Sequence, residues 1–171
     1  MPCELPGPNP QAAVSPYGLN VELLSWEPAA RDAALDRVAA AGFDWLKQPL
    51  VWGQQDDLAG LLEAAGARSL RVVLLLDGDP ADSYAPPADP QLFAAWAGEL
   101  AARYGDRVDY YQIWDEPNLG AHWGGGAVNP ADYAALLAAA AAAIRAADPG
   151  AVILAAALAP TIERGASNLS D

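Results

Sequence analysis

Val108-Asp109-Tyr110-Tyr111-Gln112-Ile113-Trp114-Asp115-Glu116-Pro117-Asn118 is the stretch on which both the fold and the chemistry of this chain turn. Val108 to Ile113 reads as a buried β-strand, and two adjacent carboxylates, Asp115 and Glu116, stand where it ends. Pro117 disfavours the α region for the residue before it, so an extended backbone is expected at Glu116. A carboxylate held rigidly at the C-terminal end of a barrel strand is where general acid/base work is usually done. Asp, Glu and Pro are also common where a strand passes into a helix. A helix start leaves Trp114 and Asn118 without a reason, and the next good helix signal comes only at Pro130.

Outward from this stretch the chain alternates strand-like and helix-like segments. Strands are expected at 17–24, 43–51, 72–76, 108–114 and 151–157, the third a short continuous apolar run of the kind found when both faces are covered. Helices are expected at 29–41, 56–65, 90–104 and 130–147. Leu58, Leu61 and Leu62 share one face of the second helix, and Leu92, Phe93, Trp96 and Leu100 give the third a core-facing stripe. Gly42 and Gly66 supply stops, residues 78–90 form a loop punctuated by prolines, and Asn129-Pro130 has good capping chemistry for the fourth helix. The alanine run from Ala138 to Ala143 is explained by helix propensity.

Such alternation predicts a parallel α/β architecture, either an open doubly wound sheet or a (β/α) barrel. A barrel needs about 250 residues, and length alone favours the open sheet. No Gly-rich phosphate loop follows the first strand, however, which weakens the open-sheet case. Gly124-Gly125-Gly126 is not a phosphate loop either, since no Lys-Ser or Lys-Thr follows it.

Charge narrows the partners. The formal net charge is −13 and the 9 basic residues are scattered, which argues against a nucleic-acid partner. No apolar run is long enough for a membrane span; the Leu136–Ile144 region is cut short by Arg145 and Asp148. Cys3 is the single cysteine and His122 the single histidine. No internal disulfide is possible, and neither a metal site nor any other cofactor is expected. Residues 1–16 are a Pro-rich extension lacking a basic segment followed by an apolar one, so no secretory signal is expected there.

Residues 110–119, Tyr-Tyr-Gln-Ile-Trp-Asp-Glu-Pro-Asn-Leu, resemble the fourth strand of clan A glycoside hydrolases, families 5 and 39 above all. Tyr17-Gly18-Leu19-Asn20 at a first strand agrees in order and spacing, as do Trp45-Leu46-Lys47 with Trp52 at a second, the Tyr133 helix and the Asp148-Pro149 stop. The resemblance spans about residues 17–160. It implies a partial (β/α)8 TIM barrel, about the first five strands and four helices, with 161–171 as a tail leading toward the remainder. It further implies a retaining hydrolase of O-glycosidic bonds, an oligosaccharide, polysaccharide or glycoside as substrate, and an extracellular setting. Glu116 would be the acid/base. The nucleophile, a glutamate at the end of a seventh strand, would belong to the missing C-terminal part of the barrel, and Glu163 is not assigned that role. The chain by itself is expected to be inactive. The alternative reading is a non-catalytic carbohydrate-binding or degenerate barrel.

Two residues depart from the family pattern. Asp115 stands where relatives carry an Asn that donates to the sugar 2-hydroxyl, and a carboxylate can only accept. An adjacent negative charge also favours the protonated form of a neighbouring carboxyl. Lys47 stands where many relatives have Arg, and it lacks the bidentate fork. The substrate-contact candidates are Asp115, Asn20, Lys47, Trp52, His122 and Trp123. Trp123 is expected to be the best sugar-stacking face, with Trp26 a weaker one, while Trp45 and Trp96 are expected in the core. Asp77 and Asp79 could bind hydroxyls, but Asp-Gly-Asp-Pro is ordinary turn chemistry and the turn role is favoured.

Overall fold

The computed structural model describes residues 15–54, 57–163 and 165–170. Most of the Pro-rich extension, including Cys3, lies outside the described residues, as does Asp56, the expected start of the second helix. The elements run β1 (Gly18–Asn20), α1 (Pro28–Ala40), β2 (Trp45–Val51), α2 (Leu58–Gly66), β3 (Arg71–Asp77), α3 (Pro90–Tyr104), β4 (Tyr110–Ile113), α4 (Pro130–Ala147) and β5 (Val152–Ala155). Single 3₁₀ turns at Pro80–Asp82 and Gly120–His122 interrupt the loops after β3 and β4.

All strand pairs are parallel and the order is β1-β2-β3-β4-β5. This order settles the choice left open by length. A doubly wound sheet reverses direction at a switch point, whereas here every crossover steps the same way. Right-handed crossovers that never reverse place all helices on one face of the sheet and leave the other as the inside of a barrel. The fold is a partial α/β barrel.

Three helices start on side-chain caps. Asp57 accepts from the Gly60 amide at 3.0 Å, Asp89 from Gln91 at 2.9 Å and Asn129 from Ala131 at 3.1 Å. Leu46, Leu50, Leu74, Leu76, Tyr111 and Ile113 point from the sheet into one core with Leu61, Phe93, Ala97, Leu136, Ala140 and Ile144. Each fully buried Leu, Ile or Phe here contributes roughly 1.5–3 kcal/mol. The alanines let α3 and α4 approach closely: a Cβ on Gly98 would stand 3.3 Å from that of Ala143. Among the described residues no helix is long and apolar enough to cross a membrane.

Some strands are shorter than the sequence predicts. β1 ends at Asn20: the Val21 amide makes one last bond to the Lys47 carbonyl at 2.9 Å, and the Leu23 amide then donates to the Gln48 side chain at 2.9 Å instead of to a β2 backbone carbonyl. Val108 belongs to the exit turn of α3, its amide bonded to the Tyr104 carbonyl at 2.9 Å. Trp114 is no longer in β4, having a φ of +68°. Gly66 remains helical and the chain turns at Ser69, with a φ of +58°.

Candidate active site

The C-terminal ends of β1 to β4 surround a cavity of about 560 Å³. Asn20 from β1, Lys47 from β2, Asp77 from β3 and Asp115 after β4 line it, joined by Tyr84 and His122 from the loops above. This is the end of the sheet at which α/β barrels carry their chemistry. Of the positive-φ residues other than glycine, Ser83, Tyr84, Trp114 and Glu116 all lie in the loops at this mouth. Backbone strain of this kind costs on the order of 1–3 kcal/mol per residue and gathers at functional sites.

Glu116 departs from the extended conformation expected before Pro117. Its φ is +48°, in the left-handed region. Proline disfavours the right-handed α region for its predecessor; the left-handed turn lets the Glu116 carbonyl accept from Leu119 at 3.0 Å while its amide donates to Ala157 at 3.0 Å. The residue is thus held from both sides. Its Oε2 stands 3.3 Å from His122 Nδ1, with both side chains about one-third exposed. The His122 ring lies against Tyr84, centroids 4.7 Å apart. His122, expected as a substrate contact, is brought to the acid/base candidate itself.

Asp115 and Lys47, the two departures from the family pattern, meet. Lys47 Nζ lies 3.2 Å from Asp115 Oδ2, and Gln112 Nε2 donates to Asp115 Oδ1 at 3.0 Å. The buried Gln112 also donates to the Trp114 carbonyl at 2.9 Å, locking the turn between them. Asp115 therefore faces the cavity on its β2 side, while Glu116 is absent from the cavity lining and turns to His122, which does line it.

Trp123 does not present a stacking face to the cavity. It is 6% exposed, edge-on to Trp114 at 5.3 Å and to Tyr133 at 6.1 Å. The 3₁₀ turn at 120–122 tucks it under the loop, and the buried Trp114 donates its indole N–H to the His122 carbonyl at 2.9 Å. Trp52 packs against Phe93 at 6.3 Å and is absent from the cavity lining. Trp26, 48% exposed and next to the cavity residue Ser25, is the tryptophan left near the mouth.

Asp77 and Asp79 separate. Asp79 does what a turn aspartate does, capping the 3₁₀ turn through the Ala81 amide at 2.8 Å. Asp77 is 6% exposed and lines the cavity. Burial pushes its carboxyl up to about 6, against the Gly78 amide that donates to it at 2.9 Å, and the charge of Asp115 adds to the rise. The carboxyl that Asp115 helps to protonate is therefore Asp77, which the sequence reading set aside. Its signal was the position: the last residue of an apolar strand at the chemical end of a barrel. Burial also holds the Tyr84 hydroxyl up, so it stays a neutral donor. Among the described residues no group of three or more His, Cys, Asp and Glu side chains could hold a metal ion.

Solved structures with this architecture are (β/α)8 enzymes, among them glycoside hydrolases of families 39 and 5. The likeness is one of fold. A family 39 glycoside hydrolase from Bacteroides cellulosilyticus WH2 superposes with a TM-score of 0.62 at 14% identity, over 81% of this chain and 30% of its own. Endoglucanase Cel5A from Thermotoga maritima gives 0.63 at 19% identity, over 81% and 51%. D-allulose 3-epimerase from Methylomonas sp. gives 0.50 at 22% identity, over 81% and 50%. This chain thus spans from under a third to about half of the structures it resembles. No family model matches it, and no curated protein does. An epimerase beside two hydrolases shows why the fold alone does not name the reaction.

Proposed function

We propose that this chain is the N-terminal part of a glycoside hydrolase barrel in which Glu116 is the acid/base of a retaining reaction. The observation that carries the reading is the placement of Glu116. It stands just beyond β4 in a strained backbone fastened on both sides, next in sequence to the cavity residue Asp115 and 3.3 Å from the cavity residue His122. Protonated, its carboxyl gives a proton to the glycosidic oxygen as the bond to the sugar breaks; ionised, it takes one from the water that releases the sugar. His122 Nδ1, 3.3 Å from Glu116 Oε2, packs against the carboxylate and limits its rotamers. Asp115 accepts from a sugar hydroxyl, Lys47 balances its charge, and Asn20, Asp77 and Tyr84 complete the polar wall. Trp26 supplies an aromatic face. The nucleophile comes from the part of the barrel beyond this chain, and no cofactor takes part.

The test is hydrolysis of aryl glycosides by a chain extended through the remaining strands. Glu116→Gln should lower kcat/KM by about 10²–10⁴-fold, and the 171-residue chain alone should not turn over. Turnover indifferent to Glu116→Gln would end the assignment. A second reading, a barrel that binds carbohydrate without cleaving it, is favoured by the Lys47–Asp115 pair, which replaces a neutral hydroxyl donor with groups that satisfy each other. Calorimetric binding of oligosaccharides without hydrolysis by the extended chain would select it.

A further inference from the structure

The residues after β5 turn back over the loop that carries Glu116 and His122. The Gly120 amide donates to the Ser167 carbonyl at 2.6 Å and to Asn168 Oδ1 at 3.0 Å, and the Val128 amide to the Ala166 carbonyl at 2.8 Å. A Cβ on Gly120 would meet the Gly126 carbonyl at 2.5 Å and that of Ser167 at 2.7 Å, so three backbone segments converge there without room for a side chain. The centre of this fastening is Asn118, which is 5% exposed. Its amide pairs reciprocally with one residue, Nδ2 donating to the Ala159 carbonyl at 2.9 Å and Oδ1 accepting from the Ala159 amide at 2.9 Å. Nδ2 also donates to the Leu169 carbonyl at 3.0 Å, and the Leu169 amide returns a bond to the Asn118 carbonyl at 2.9 Å.

We infer that Asn118 is a positioning residue: it clasps the return segment to the β4 loop and so fixes the left-handed turn at Glu116 and the contact between Glu116 and His122. Both ends of that turn depend on the clasp. Glu116 donates to Ala157, two residues before the Ala159 that Asn118 grips, and Gly120, from which the 3₁₀ turn to His122 begins, is held by Ser167 and Asn168. A side-chain amide suits the position because it donates and accepts at once, as a backbone peptide would. Ala leaves the amide of Ala159 and the carbonyls of Ala159 and Leu169 unpaired. Asp keeps the acceptor and turns a charge toward two carbonyls.

The inference rests on reading Glu116 as the acid/base, but its test requires no hydrolysis. His122 is the single histidine, so its two ring nitrogens are the only imidazole signals in the spectrum. In a neutral imidazole the nitrogen that keeps the proton is set by the group it faces, and His122 Nδ1 faces the Glu116 carboxylate at 3.3 Å. In ¹⁵N NMR of the full chain His122 should carry its proton on Nδ1, and Glu116→Ala should return it to the mixture of an unconstrained imidazole. Asn118→Ala, which touches neither group, should do the same in a chain whose near-ultraviolet circular dichroism remains that of the folded protein. If Asn118→Ala does not fold, Asn168→Ala, half-buried and outside the hydrophobic core, should shift the mixture in the same direction while leaving the core intact. A folded Asn118→Ala chain, or failing that Asn168→Ala, with the Nδ1 proton undisturbed would overturn the clasp. So would a wild-type spectrum indistinguishable from Glu116→Ala. Loss of the glycosidase reading would instead appear as an intact Nδ1 signature in an extended chain without turnover.

Discussion

Asp77 shows how a single side chain links the site to the stability of the molecule. Its carboxyl is raised from 3.8 to about 6 in the fold, chiefly by burial, so the folded state holds its proton over a range where the unfolded state has released it. The sign follows. Below about pH 4 both states are protonated and the group contributes nothing; above about pH 6 both are ionised and the fold carries a buried charge. At about 1.36 kcal/mol per pH unit of displacement, that charge costs on the order of 3 kcal/mol at neutral pH. Asp77→Asn should keep the acceptor for the Gly78 amide and remove the charge. Its urea midpoint should equal that of the wild type near pH 4 and exceed it increasingly from pH 4 to 6. A constant difference across this range would show that Asp77 titrates as an exposed carboxyl. The expected cost in a site residue is in keeping with function, because the position is held against stability.

The segment after β3 makes the same point for an element. A Cβ on Gly78 would lie 2.8 Å from Trp114 Cζ2 and 2.8 Å from the Tyr84 backbone, so β3 hands over to its loop in direct contact with the β4 turn. Gly78→Ala should cost about 1–3 kcal/mol by overpacking. Because the loop must shift away from Trp114, Trp fluorescence should change along with the unfolding midpoint. A neutral substitution would mean that the contact is soft. Contacts of this kind decide how much of the molecule could be read from its residues. The start of the fourth helix was legible because Asn129-Pro130 carries the cap chemistry locally, whereas the Asp89 cap of the third helix was not read from the sequence. β4 and the carboxylate at its end were legible from the apolar run and Pro117. Trp123 was not: its loop position suggested exposure, and only the Gly120–His122 turn, held by residues more than 40 positions later, places it under Trp114. Glu116 was half legible, since Pro117 forbids one backbone region without choosing between the other two.

At the scale of the molecule, the monotonic strand order that identifies a barrel also leaves it open. Among the described residues β1 pairs only with β2 and β5 only with β4, so each has a free edge. Between these edges the inner face forms a groove of about 410 Å³ lined by Trp45, Lys47, Val73, Tyr110 and Leu154 among others. In a closed barrel such a face is filled by side-chain layers from the remaining strands. Free strand edges beside an apolar face promote association, while a net charge of −13 opposes it by repulsion between copies. Salt separates the two forces, because raising ionic strength to physiological 0.15 M shortens the screening length to about 8 Å and leaves the apolar contact untouched. Sedimentation velocity should therefore show the 171-residue chain largely monomeric at low salt and increasingly associated as salt and concentration rise. Leu154→Lys, which puts a charge on the inner face at the β5 edge, should suppress that association, as inward-pointing charges do on natural edge strands. Association that weakens with salt would mean that charged surfaces rather than the open inner face bring the copies together, and association unchanged by Leu154→Lys would place the contact elsewhere.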